Sequence, residues 1–271
     1  MKMRHIFLCS LLLCLSGCVV RDSEKAGMLL SEARVLVMGG EWRSARILLD
    51  SLHAEYPGEV AHRRMAKSLE DSIEYLEAQK SLLYADSLLP ILESRVDMVL
   101  KDFVYEKEEV YEDAGRYVHR LLRTGSNPSR NFLQAYVRDD GVTIVKSYYY
   151  GSVLMNQRLL CLTSNKEEVL FSGSNHAFSL DGWHEIMTLE DASALQLLNF
   201  VSAHMDARIR VKGEGDKEHK TWVYYLNDKE KLSLSKTYEL GWLMKDLARA
   251  EDMRNQSHRR IMRYEAAREG R

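Results

Sequence analysis

Several absences limit what this chain can be. Only four of its 271 residues are cysteine, at positions 9, 14, 18 and 161. Three of them crowd the first 18 residues, so no disulfide framework can hold a folded body, which must rest on an ordinary core. There is no basic surplus: 38 Lys and Arg face 40 Asp and Glu, for a net charge of −2. Nucleic-acid binding, which calls for a strong positive excess, is therefore not expected. The apolar run Ile6–Leu15 falls short of the roughly 20 residues needed to span a bilayer, and no other stretch of that length is free of charge. Motifs of catalysis are missing too. No Gly-x-Ser-x-Gly nucleophile elbow occurs, and Gly213-Glu214-Gly215 lacks the setting of a phosphate loop.

The amino terminus carries a distinct pattern. Lys2 and Arg4 precede the apolar run, and Leu15-Ser16-Gly17-Cys18 ends it. A charged n-region, a short h-region and small residues at a cleavage point make a secretory signal. Leu15, Ser16, Gly17 and Cys18 resemble the lipobox of bacterial lipoproteins. The resemblance implies that residues 1–17 are removed and that Cys18 carries acyl chains, which contribute about 0.8 kcal/mol per buried methylene. It further implies a lipid-anchored protein of the cell envelope, in the outer membrane because no aspartate follows the cysteine. Which face it occupies is open. Residues 18–25 read as a short polar tether.

Residues 26–123 read as helical. Leu29, Ala33 and Leu36 share one face; Gly39-Gly40 breaks the helix; Trp42, Ala45, Leu49 and Leu52 form a second stripe that ends before Tyr56-Pro57. Leu29, Ala33, Leu36, Gly40, Trp42, Ala45, Leu49 and Pro57 resemble one tetratricopeptide repeat, with Leu52 where a small residue is usual. The physical sense is that two small alanines let antiparallel helices approach. One such unit cannot bury its own apolar face, so neighbours are expected. Met65, Leu69, Ile73 and Leu76 predict a helix over 59–80, and Leu89 to Phe103 a heptad-like seam starting afresh near Pro90. Residues 101–123, with Tyr105, Tyr111 and Tyr117, are expected to be a helix lying against the second half. Thr124–Pro128 is the expected boundary.

From residue 129 the period changes to two. Strands are expected over 131–138, 142–149, 158–163, 167–172, 183–189, near 209–211 and over 222–226, with a hairpin turn at Asp139-Asp140-Gly141. Residues 173–175 read as loop, and Thr188 as the cap of a helix reaching about residue 204. A long helix from about Ser235 closes the chain, with Tyr238, Trp242 and Leu243 on the sheet and a solvated arginine-rich end. The expected fold class is α+β: repeat-like helical hairpins, then one antiparallel sheet of six or seven strands over 129–271.

His176, Asp181, His184 and Glu185, with Trp183 beside them, are the best candidates for a site, since histidines and carboxylates gather there in one loop-rich region. Such groups move protons or hold ligands. The two histidines are eight residues apart, which matches no metal-binding spacing, and His184-Glu185 lacks a zinc protease's second histidine. No catalytic set, metal or cofactor is expected. Cys161 reads as a buried strand residue. The preferred function is a lipid-anchored interaction or scaffold module with a protein partner. The alternative is an envelope hydrolase or carbohydrate-binding protein using the sheet near His176 and His184.

Overall fold

The computed structural model describes residues 3–107, 114–122, 129–217 and 220–269, with side chains from Arg21 onward. The side chains of Leu15, Ser16, Gly17 and Cys18, together with Tyr111 and the expected boundary at 124–128, lie outside the described residues. The fold is α+β. Helices α1 (Met3–Met38), α2 (Trp42–Glu55) and α3 (Val60–Leu100) come first, followed by strands β1 (Phe103–Glu106), β2 (Arg116–His119), β3 (Phe132–Arg138), β4 (Thr143–Gly151), β5 (Leu159–Ser164), β6 (Glu167–Phe171), β7 (Ser174–Ser179) and β8 (Trp183–Glu190). Then come α4 (Ala192–Ala203), β9 (Arg210–Glu214), β10 (Thr221–Tyr225) and α5 (Asp228–Glu269). Two compact units result: Met1–Asp86 with Asp252–Arg271, and Ser87–Glu251. Among the described residues no helix is long and apolar enough to cross a membrane.

In the helical unit, α1 stops where Gly40 takes φ +79°. The N–H of Gly39 bonds the carbonyl of Val35 at 2.9 Å and that of Glu41 the carbonyl of Leu36 at 2.9 Å, satisfying orphan carbonyls at the helix end. Ala26, Ala33, Ala45, Leu49, Leu52, Ala66 and Ile73 are buried together, with Leu29, Leu36 and Trp42 packed against them half-buried. Pro57 is exposed just past α2. Leu52, large where the repeat pattern wants a small residue, is fully buried. Each such leucine contributes about 1.5–3 kcal/mol by leaving water.

The expected restart at Pro90 is corrected: α3 runs through it. The proline lies on the exposed side of the helix, so the Asp86 carbonyl it leaves without a donor can be met by water. Leu89, Leu92, Val96 and Val99 are buried around it, and their burial outweighs the roughly 3 kcal/mol a helical proline costs.

In the other unit, the described residues of 101–123 do not form the expected α-helix; they hold two strands and a short 3-10 turn at Arg120–Leu122. β1 and β2 pair antiparallel there, Tyr105 opposite Tyr117. β-prone Phe103, Val104 and Tyr105 find an open edge of a sheet, and pairing outbids helix formation. Instead of one sheet there are two: six strands in the order β1-β2-β3-β4-β8-β7, and four in the order β10-β9-β5-β6. Residues 174–179, expected in part as loop, are the edge strand β7. The main core lies between the two sheets, where Leu133, Val145, Met187, Leu160, Leu162 and Val211 meet Leu197, Leu198 and Val201 of α4 and Leu234 of α5.

Two helix starts differ from expectation. Thr188 stays in β8; the residue before α4 is Asp191, at φ +48° and without a side-chain cap bond. Its N–H bonds Thr143 O at 2.8 Å, which ties α4 to β4. α5 begins at Asp228, earlier than Ser235. Asn227 Oδ1 accepts the Glu230 N–H at 3.0 Å while Glu230 Oε2 accepts the Asn227 N–H at 3.0 Å, a reciprocal capping box. Trp242, expected against the sheet, is 38% exposed, whereas Leu243 is buried.

Candidate functional site

Strand alternation decides what the His176–Glu185 region can do. In β8, neighbouring residues point to opposite faces of the six-stranded sheet. His184 lies opposite Tyr150 of β4 and Phe178 of β7, so these three rings share one face. The His184 ring stacks on Phe178 with centroids 4.9 Å apart and planes 6° from parallel, and Tyr150 stands 4.9 Å away on the other side. Its Nε2 meets Asp181 Oδ1 at 2.9 Å, and the Tyr150 hydroxyl donates to the Asp181 carbonyl at 3.2 Å. The His184 bond holds the Asp181 carboxyl below the ordinary range. His176 is exposed on the same face, 6.1 Å from Phe178.

Glu185 belongs to the other face. It is fully buried, and its carboxylate accepts the backbone N–H groups of Met155, of Asn156 at 2.9 Å and of Gln157 at 2.7 Å, plus Asn175 Nδ2 at 2.9 Å. A buried carboxylate is tolerated when its lone pairs are filled this way. It holds the loop between β4 and β5, including Asn156 at φ +51°, onto the sheet. Trp183 shares the Glu185 side by alternation. The sequence-level set therefore divides: His176, Asp181 and His184 gather with Phe178 and Tyr150, while Trp183 and Glu185 do not join them. Cys161 is buried and burial pushes its thiol up, as befits an inert core residue. Among the described residues no three His, Cys, Asp or Glu side chains are placed to hold a metal.

The helical unit holds a feature the sequence did not announce. A cleft of about 190 Å³ lies between α3 and the end of α5. Asp71, Glu74 and Tyr75 come from α3; Arg260, Arg263, Tyr264 and Ala267 from α5. Tyr75 and Tyr264 stack, centroids 4.5 Å apart at 24°. Ser72 Oγ lies 3.1 Å from the Tyr264 hydroxyl, and Gln79 Nε2 donates to the Tyr75 hydroxyl at 2.8 Å. Lys67 pairs with Asp71 at 3.3 Å and Glu70 at 3.3 Å. Among the described residues Glu74, Arg260 and Arg263 have no ion-pair partner within 4.0 Å. The cleft continues past Asp71, Tyr264 and Ala267 into a hollow of about 280 Å³ bordered by Ser68 and Arg268. The result is a groove with one acidic wall, one basic wall and aromatic rings between. The sequence predicts a solvated end for these arginines, and no local pattern states that residue 264 meets residue 75.

No family model, curated protein or solved structure matches this chain.

Proposed function

We propose that this chain is a lipid-anchored protein of a bacterial cell envelope, held at the outer membrane through acylated Cys18, and that it serves as a protein-interaction or scaffold module. The groove between α3 and α5 carries the interaction reading: it offers both charge signs and stacked rings to an occupant. The anchoring rests on the lipobox-like residues Leu15, Ser16, Gly17 and Cys18. Ala26 is fully buried only eight residues beyond Cys18. Eight residues reach at most about 28 Å, so an acylated Cys18 keeps the helical unit near the bilayer. Metabolic labelling with a palmitate analogue is expected to mark the protein and to fail for Cys18→Ser. Chemical cross-linking in native membranes is expected to trap one stoichiometric neighbour. An unlabelled chain refutes the anchor, and the lack of any reproducible neighbour refutes the interaction role.

A ligand-binding role for the sheet face is the second reading. Phe178 is 37% exposed beside His176 and against His184, which suits it to stack on a flat ligand such as a sugar ring. A hydrolase that pairs His184 with Glu185 is the weaker form of it, because the two side chains leave the strand on opposite faces. Glycan-array binding that disappears in Phe178→Ala would favour this reading, and unchanged binding would remove it.

A further inference from the structure

We propose that the groove between α3 and α5 binds an extended peptide segment of alternating charge, its cations on the Asp71–Glu74 wall and its anions on the Arg260–Arg263 wall. The proposal rests on the interaction-module reading and names the chemistry of the partner.

The argument starts from helix geometry. Asp71 and Glu74 are three residues apart on α3, as are Arg260 and Arg263 on α5. Residues at that spacing are neighbours on a helix surface, about 5–6 Å between Cβ atoms. Each wall thus presents two like charges side by side, which the protein itself leaves largely unneutralised. Of these four, only Asp71 is paired among the described residues, by Lys67 on its own helix. The walls do not close on each other, since no ion pair within 4.0 Å joins them. A concave site with separated opposite charges suits a convex occupant carrying both signs.

An extended strand supplies that arrangement. Its successive side chains point to opposite sides, and same-side residues repeat at about 6.6–6.8 Å, near the spacing within each wall. A Lys-Glu-Lys-Glu segment sends every cation one way and every anion the other. A single helical turn or a run of one charge does not. Between the walls, the Tyr75–Tyr264 stack receives the aliphatic stems of the lysines, with an ammonium over a ring. The continuation past Ser68 towards Arg268 extends the groove along the helices, as a peptide requires.

The test uses the full chain in detergent and two fluorescein-labelled octapeptides of the same composition. One alternates lysine and glutamate throughout; the other is a block of lysines followed by an equal block of glutamates. The alternating peptide is expected to bind at least ten-fold more tightly in fluorescence anisotropy, because only it matches both walls at once. Asp71→Arg with Glu74→Arg makes both walls basic; Arg260→Glu with Arg263→Glu makes both acidic. Each pair is expected to lose at least ten-fold. All four changes together exchange the walls and are expected to restore binding to within about three-fold, since an extended peptide can enter turned around. Circular dichroism confirms that each variant is folded, and the four-fold variant guards against losses that come from misfolding. Equal binding of the two peptides, no binding of either, or indifference to the paired reversals overturns the proposal. If cross-linking still traps a stoichiometric neighbour in that case, the module reading stands and only the groove is wrong. If both fail, the reading falls with it.

Discussion

The carboxylate of Glu185 holds the backbone N–H of Gln157 at 2.7 Å and that of Asn156 at 2.9 Å, so a side chain of β8 fixes the path into β5. Glu185→Ala leaves several buried donors without an acceptor, each costing about 1–3 kcal/mol. The variant is expected to lose about 3 kcal/mol or more in urea unfolding. Glu185→Gln, which keeps one acceptor oxygen, is expected to lose less. A neutral alanine variant would show that water replaces the brace.

Pro90 interrupts the hydrogen-bond ladder of a helix that continues on both sides. Pro90→Ala restores an N–H for the Asp86 carbonyl and removes a steric conflict. Stability in chemical denaturation is expected to rise by about 1–3 kcal/mol. A drop would mean that the fixed φ of the proline contributes more than the restored hydrogen bond.

Gly241 lies where α5 passes β4. A Cβ there would stand 2.5 Å from Thr143 Oγ1 and 3.2 Å from Leu195 Cδ2. Gly241→Ala is expected to destabilise by about 1–3 kcal/mol despite alanine's better helix propensity. Thr143→Ala removes the nearest atom. In a double-mutant cycle the pair is expected to be more stable than the sum of the single changes predicts; strict additivity would refute the contact.

His119 is buried, edge-on to Phe103 at 5.2 Å, and its Nδ1 accepts the Leu121 N–H at 3.3 Å. Burial holds its pKa below the usual histidine value, with Asp102 acting in the opposite sense. The folded protein therefore binds this proton less readily than the unfolded chain does. Stability from this site is complete above the unfolded pKa, about 6.5, and is lost as pH falls from there towards the lower folded value. Unfolding curves between pH 7.5 and pH 5 are expected to show this loss, and His119→Asn, which keeps an acceptor but does not titrate, to reduce it. An identical pH profile in the variant would rule out His119 as the source.

Local signals were legible where one stretch of chain settles its own conformation. Gly39-Gly40 between two apolar stripes, Pro57 after Tyr56, and Asp-Gly at 140–141 mark turns because few residues tolerate those backbone angles or keep donating a hydrogen bond. The period-two pattern of β4 could be read directly because Thr143, Val145, Ser147 and Tyr149 face the core, whereas β3 is buried along both faces and is marked as a strand by its composition and the turn that follows it. The α5 start is equally local: Asn227 and Glu230 stand at capping-box spacing, ahead of the apolar stripe that begins with Tyr238. Among the candidate residues, alternation along β8 could have separated His184 from Glu185 once 183–189 was taken as a strand.

What the chain order determined by itself is this pattern of turns, stripes and alternation, since each depends on φ, on a missing N–H or on side-chain period within a few residues. Tertiary structure alone decided the rest. β7 has little apolar signal and is a strand because β8 offers it an edge. β1 and β2 exist because β3 extends the sheet to them. α3 survives Pro90 because the burial of its flanking leucines and valines outweighs one lost hydrogen bond. The groove arises because Tyr264 meets Tyr75 from 189 positions along the chain, a long-range contact whose energy belongs to the packed helices and to neither segment alone.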